Sequence, residues 1–176
     1  MRVHIAEACG FCYGVRRAVE LASTAEKGTH TLGPIIHNPQ LVNSLSARGV
    51  SPVDSLQDVA DGSKVLIRSH GVGPHIYEEA EAKHLDVVDA TCPHVKKAQQ
   101  DAKSVIEDGM TLVILGEKNH PEVKSINLWA NNKGIIIEDE DSAKNLQVVE
   151  KMGVVVQTTF SQFKFNSIIE ILEKKS

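Results

Sequence analysis

Short β-branched apolar runs recur along this chain between longer segments of helical period, and that alternation narrows the possible folds more than any other feature. Segments 64–68, 111–115, 134–137 and 153–156 are too short for buried helices and are rich in Val, Ile and Leu, as buried strands are. Segments 2–6, 29–32 and 85–88 read as further short strands. Helical period appears over 14–27, over 39–48 with Gly49 as its stop, from Pro74 onward, and over 93–107, 121–130 and 161–174. Continuous apolar strands separated by helices predict an α/β protein with mainly parallel sheets covered on both faces. A chain of 176 residues holds one large domain or two small ones. The seam falls at the helix over 93–107 or at the Glu107–Gly109 turn that ends it. Dividing before that helix gives two similar lobes, 1–92 and 93–176, each a small sheet flanked by helices.

Composition excludes several function classes. Nineteen Lys and Arg against 23 Asp and Glu leave a formal charge of −4, which opposes non-specific nucleic-acid binding. The N-terminus lacks the basic and long apolar regions of a signal peptide, and no run approaches the roughly 18 apolar residues that cross a bilayer. A cytoplasmic protein without membrane contact is expected, in which thiols stay reduced. Eight His and three Cys are then the unusual part of the composition.

Their positions are informative. Cys12, His37, His70, Cys92, His120 and Thr158 each follow a predicted strand, where the loops of open α/β sheets converge on ligands. Most are flanked by glycine, proline or a small polar residue, as in Ser69-His70-Gly71 and Thr91-Cys92-Pro93, so they lie outside the periodic apolar segments. One loop histidine is ordinarily structural or exposed; a series of such residues at successive strand ends points to a shared site. His4, His30, His75, His84 and His94 lack that support. Cys9-Gly-Phe-Cys12 ahead of a helix also fits a thiol–disulfide pair, a partial zinc set, or an iron–sulfur ligand loop, and spacing alone does not choose among them.

The segments Gly10–Val15, Ile36–Asn38, Ser69–Val72, Asp89–Pro93, His120–Val123 and Gln157–Thr159 together resemble the 4-hydroxy-3-methylbut-2-enyl diphosphate reductase family, the LytB-type enzymes of the non-mevalonate isoprenoid pathway. The resemblance runs through essentially the whole chain. It implies an oxidoreductase that removes a hydroxyl from an allylic diphosphate, using two electrons and two protons, to give isopentenyl and dimethylallyl diphosphate. It implies a [4Fe–4S] cluster, with Cys12 and Cys92 as two ligands, and a ferredoxin or flavodoxin as electron donor. It implies that His37, His70 and His120 line the substrate pocket around the diphosphate. Glu122 would then supply protons, and Thr158 would position the substrate and help to relay them.

That family has three lobes and a third cysteine, and the resemblance covers only the first two lobes. A third lobe is therefore expected in cis or in trans. Cys9 as a replacement ligand and a degenerate protein without the reaction remain as other readings. Outside the family, a CxxC thiol–disulfide oxidoreductase and a non-catalytic diphosphate-binding remnant are the alternatives.

Overall fold

In the computed structural model, described for all residues except Met1, Ile5, Ala8 and Ser176, the chain forms two parallel sheets in succession. The first contains β1 (His30–Leu32), β2 (Ser51–Val53), β3 (Lys64–Ile67) and β4 (Asp86–Asp89) in the order β2-β1-β3-β4. The second contains β5 (Thr111–Leu115), β6 (Ile135–Ile137) and β7 (Met152–Val156) in the order β6-β5-β7. All pairings are parallel. The helices are α1 (Tyr13–Ser23), α2 (Pro39–Ala47), α3 (Pro74–Ala82), α4 (Pro93–Glu107), α5 (Pro121–Trp129), α6 (Glu140–Asn145) and α7 (Gln162–Leu172).

The pleat explains why the strands are apolar throughout. In β3, Leu66 faces Ala18 and Ala22 of α1 and Leu45 of α2, while Val65 and Ile67 face Leu56 and Ala80 of α3. In β5, Leu112 and Ile114 pack on α4 and α5, and Val113 and Leu115 pack on Ala143, Ile168 and Leu172 of α6 and α7. The central strands thus have no solvent face, and each fully buried Leu or Ile contributes on the order of 2 kcal/mol of apolar transfer. Helix starts are set locally. Pro39, Pro74, Pro93 and Pro121 each occupy a first turn, and the Asn38 side chain accepts from the Leu41 N–H at 3.0 Å.

Three elements depart from the sequence reading. Arg2–His4 and Ala6 form no strand among the described residues, and Ile5 lies outside them, so Cys12 precedes α1 without a described strand before it. The strand β2 at Ser51-Pro-Val53 was not among the expected strands; its central proline is tolerated because β2 lies at the sheet edge. The six-residue α6 is too short to show a period, but Asp139 and Ser142 form a reciprocal capping box that starts it.

Polar contacts converge on Asp89 at the end of β4, and those of Lys96 and Trp129 join the two sheets' units. Lys96 at the start of α4 pairs with Asp89 at the end of β4 at 2.6 Å. Arg17 of α1 donates to the carbonyls of Asp89 at 3.1 Å and Thr91 at 3.3 Å. The Tyr77 hydroxyl donates to the same Asp89 carboxylate at 3.0 Å, and the Trp129 indole N–H donates to the Val72 carbonyl at 2.9 Å. Burial alone would raise the Asp89 pKa, but the bonds from Lys96 and Thr91 outweigh it and hold the carboxyl below its ordinary range.

Candidate functional site

Both sheets reverse direction beside their first strand, between β1 and β3 and again between β5 and β7. Loops leaving the carboxyl ends diverge at such points and open a crevice. His37 follows β1, His70 follows β3, His120 and Glu122 follow β5, and Thr158 follows β7. The candidate residues therefore come from both reversal points.

The three imidazoles form one cluster. The rings of His37 and His70 lie 4.8 Å apart between centroids, and those of His70 and His120 lie 5.4 Å apart, edge to face. Residues from both halves of the chain thus share one surface. His70 is central. Burial, followed by the positive charges that His37, His120 and Arg68 can carry, lowers its pKa to about 4. It is neutral at physiological pH, and its buried Nδ1 has no hydrogen-bond partner among the described residues. His120 caps α5, its Nδ1 accepting from the Glu122 N–H at 3.2 Å; the proton of its neutral form is therefore assigned to Nε2.

Glu122, only 2% exposed, is a buried carboxyl in the first turn of α5. The Thr158 N–H donates to its Oε1 at 2.6 Å, and the Thr158 hydroxyl donates to its Oε2 at 2.8 Å. Thr158 itself is exposed, so this pair connects a buried acid to the open surface. The adjacent Gln157 fastens the loop: its Oε1 accepts from the Glu117 N–H at 2.9 Å, and its Nε2 donates to Thr159 at 2.8 Å.

Cys12 and Cys92 are the N-cap residues of α1 and α4. A Cβ on Gly14 would overlap Cys92 Sγ, so the first turn of α1 lies directly against the Cys92 thiol. The partial positive charge of the two helix N-termini favours negative charge around them. The Cys92 N–H also donates to the Ser69 carbonyl at 2.9 Å, joining this loop to the one carrying His70. Cys9 and Cys12 are both exposed and unbonded. Among the described residues, no group of three or more His, Cys, Asp or Glu side chains is arranged to hold a metal ion.

Sequence reasoning missed the residues that support this arrangement. Ser125 of α5 and Gln99 of α4 are each 3% exposed. The Ser125 hydroxyl lies 2.8 Å from the His70 carbonyl and 2.9 Å from the Glu122 carbonyl, and accepts from Gln99 Nε2 at 3.2 Å. One side chain thus touches the backbone of both His70 and Glu122. The available signal was a polar residue on the apolar face of each helix, beside Ala98, Ala102, Val123 and Ile126. No helix among the described residues is long and apolar enough to cross a membrane.

Both the sequence and the fold have known relatives. The family model described as LytB protein matches residues 3–176. The 4-hydroxy-3-methylbut-2-enyl diphosphate reductase of Caldanaerobacter subterraneus subsp. tengcongensis is 40% identical over 100% of this chain and 64% of its own length. The protein of the same name from Pelobacter propionicus is 44% identical over 99% of this chain and 63% of its own length. The chain therefore spans less than two thirds of the curated relatives it matches. The structure of the E-1-hydroxy-2-methyl-but-2-enyl-4-diphosphate reductase from Plasmodium falciparum superposes with a TM-score of 0.87 at 30% identity, over 94% of this chain and 54% of that one. A second structure, of (E)-4-hydroxy-3-methyl-but-2-enyl diphosphate reductase, superposes with a TM-score of 0.80 at 40% identity, over 97% of this chain and 63% of that one. With the family match running through nearly every residue and both sheets superposing on solved relatives, this chain belongs to the LytB protein family.

Proposed function

We propose that this chain forms the two-lobe part, 1–92 and 93–176, of a 4-hydroxy-3-methylbut-2-enyl diphosphate reductase, with a third lobe supplied in cis or in trans. Helix α4 belongs to the second lobe on this reading, because its Ala98 and Ala102 pack in one cluster with Leu112 and Ile114 of β5. The observation that carries the proposal is the buried Glu122, held by Thr158 and donating its backbone N–H, in the first turn of α5, to His120 of the three clustered imidazoles. The reaction removes the substrate hydroxyl as water, consuming two electrons and two protons. Its protein groups must hold an anionic diphosphate and deliver protons to an alcohol.

His37, His70 and His120 suit the first task. Neutral His70 donates one N–H to a phosphate oxygen, and its neighbours add hydrogen bonds whose strength grows when they carry charge. Glu122 and Thr158 suit the second. The Thr158 hydroxyl, bonded to Glu122 Oε2, joins that carboxyl to the exterior: a proton passing between them reverses this hydrogen bond and moves on to the substrate hydroxyl, which Thr158 also orients. Burial shields the carboxyl itself from bulk water.

Cys12 and Cys92 would be two ligands of a [4Fe–4S] cluster: both cap helix N-termini, and the first turn of α1 abuts the Cys92 thiol. On this reading the remaining ligand comes from the third lobe. When bound, such a cluster supplies the electrons, delivered by a ferredoxin or flavodoxin, and an open iron for the leaving hydroxyl.

Anaerobic reconstitution of the chain with iron and sulfide, with and without the remaining portion of a relative added in trans, tests the reading. Broad visible absorption that disappears in Cys12→Ser and Cys92→Ser is expected. A colourless product under both conditions refutes it. Loss of colour in Cys9→Ser alone would instead assign a ligand role to Cys9.

A further inference from the structure

A cavity of about 470 Å³ lies beside the loop that carries His70, lined there by Arg68, Gly71, Val72 and Gly73. It is lined by Gly33 after β1, Arg68 after β3 and Lys124 of α5, so it occupies the first sheet's reversal point and is closed by the second half of the chain. Its volume is that of a small-molecule site. His37, His70, His120, Glu122 and Thr158 do not line it.

Arg68 is the unusual residue there. Burial lowers its pKa, and the guanidinium forms no salt bridge among the described residues. Its Nε is buried without a hydrogen-bond partner among the described residues. The position is nonetheless built for it. Gly33 has φ +71°, and a Cβ there would lie 2.8 Å from Arg68 Nη1, so the glycine leaves room for the guanidinium. A half-buried guanidinium without a counter-charge is costly unless an anion completes it. Exposed Lys124, from the second half of the chain, brings a second cation, and His75 adds an imidazole to the lining. Leu32, Ile76 and Leu128 supply an apolar surface. Asp54 and Glu79 also line the cavity and repel an anionic head, confining it to the Arg68 and Lys124 walls.

We propose that this cavity is a second ligand site, separate from the histidine cluster, for a small phosphomonoester with a short apolar body. The dianionic head matches two cations from two walls, and Arg68 takes two phosphate oxygens through its fork. The site is linked to the first. Ser125, which also lines the cavity, bonds the His70 carbonyl, so occupancy bears on the placement of His70.

Trp129, the single tryptophan, provides the readout: its indole N–H is bonded to the carbonyl of Val72, which lines the cavity. Hexyl phosphate titrated into the full chain should shift the indole cross-peak saturably, with amide shifts centred on Gly33, Val72 and Leu128. Inorganic phosphate should bind at least tenfold more weakly. Arg68→Gln and Lys124→Gln should each weaken hexyl phosphate at least fivefold, and Arg68→Lys less than Arg68→Gln. Lys124→Gln alters an exposed side chain, so a folding defect does not obscure that arm. Absence of saturation, equal binding of both probes, unchanged affinity in Lys124→Gln, or shifts centred on Cys12 and Thr158 would each overturn the proposal. The titration needs neither cluster nor turnover, so its failure is distinct from failure of the reductase reading.

Discussion

Replacing Ser125 with alanine removes one hydroxyl from the point where the two halves of the site meet. That hydroxyl accepts from Gln99 and shares its proton between the carbonyls of His70 and Glu122. The Glu122 carbonyl also belongs to the ladder of α5 and loses little. The Gln99 amide and the His70 carbonyl lose a partner, and both Gln99 and Ser125 are buried. An unsatisfied buried polar group costs about 1–3 kcal/mol, so two that partly relax should cost about 2–4 kcal/mol. Urea unfolding should show a lower midpoint with an unchanged slope. Gln99→Leu combined with Ser125→Ala removes the stranded amide as well, and should recover about 1–2 kcal/mol relative to the sum of the single changes. A loss below about 0.5 kcal/mol for Ser125→Ala, or strict additivity in the cycle, would refute the view that this hydroxyl fixes the His70 loop.

Three further outcomes follow from the geometry. Gly14→Ala places a methyl group against Cys92 Sγ and should destabilise by about 1–3 kcal/mol, seen as a lower Tm; an unchanged Tm would mean that the two helix starts are not in close contact. His70 has a folded pKa of about 4, below its unfolded value. Its stabilising contribution is therefore complete above about pH 6.5 and is lost as pH falls toward 4. Solvent screening of the partly open ring limits the loss to about 1–2 kcal/mol, and a His70→Gln variant should lack that component of the pH–stability curve. Lys96→Met removes the ammonium from Asp89, whose depressed folded pKa makes the pair stabilising above the unfolded carboxylate value. The variant should lose about 1 kcal/mol at pH 7 and converge with the parent as pH falls through the folded Asp89 pKa; a constant difference down to pH 2 would contradict this.

Strand–helix alternation is a local property, and it was legible in the sequence. The predicted helix over 93–107 coincides with α4, and the segment 111–115 coincides with β5. Both are bounded by unambiguous signals: Pro93 at the first turn of α4, Gly109 after its end, and an unbroken apolar strand. Edge strand β2 and short α6 escaped because their residues follow no period long enough to read. The position of reactive residues after strands was equally legible for His37, His70 and His120, because loop chemistry of Gly, Pro and Asn marks strand ends.

Tertiary structure alone decided which of these loops meet. The same alternation serves any strand order, and only the orders β2-β1-β3-β4 and β6-β5-β7 put the reversal points where the imidazoles cluster. The contacts of Ser125 with His70 and of Thr158 with Glu122 span 55 and 36 residues. No local pattern encodes such pairings, since they arise when packed sheets bring distant backbone together. Arg68 shows the same limit. In sequence it is a cation after a strand; in the fold it is a half-buried guanidinium lining a cavity, with no salt bridge among the described residues. Residue type sets what a side chain is able to do, and packing across the two halves sets its neighbours, its burial and so its charge state.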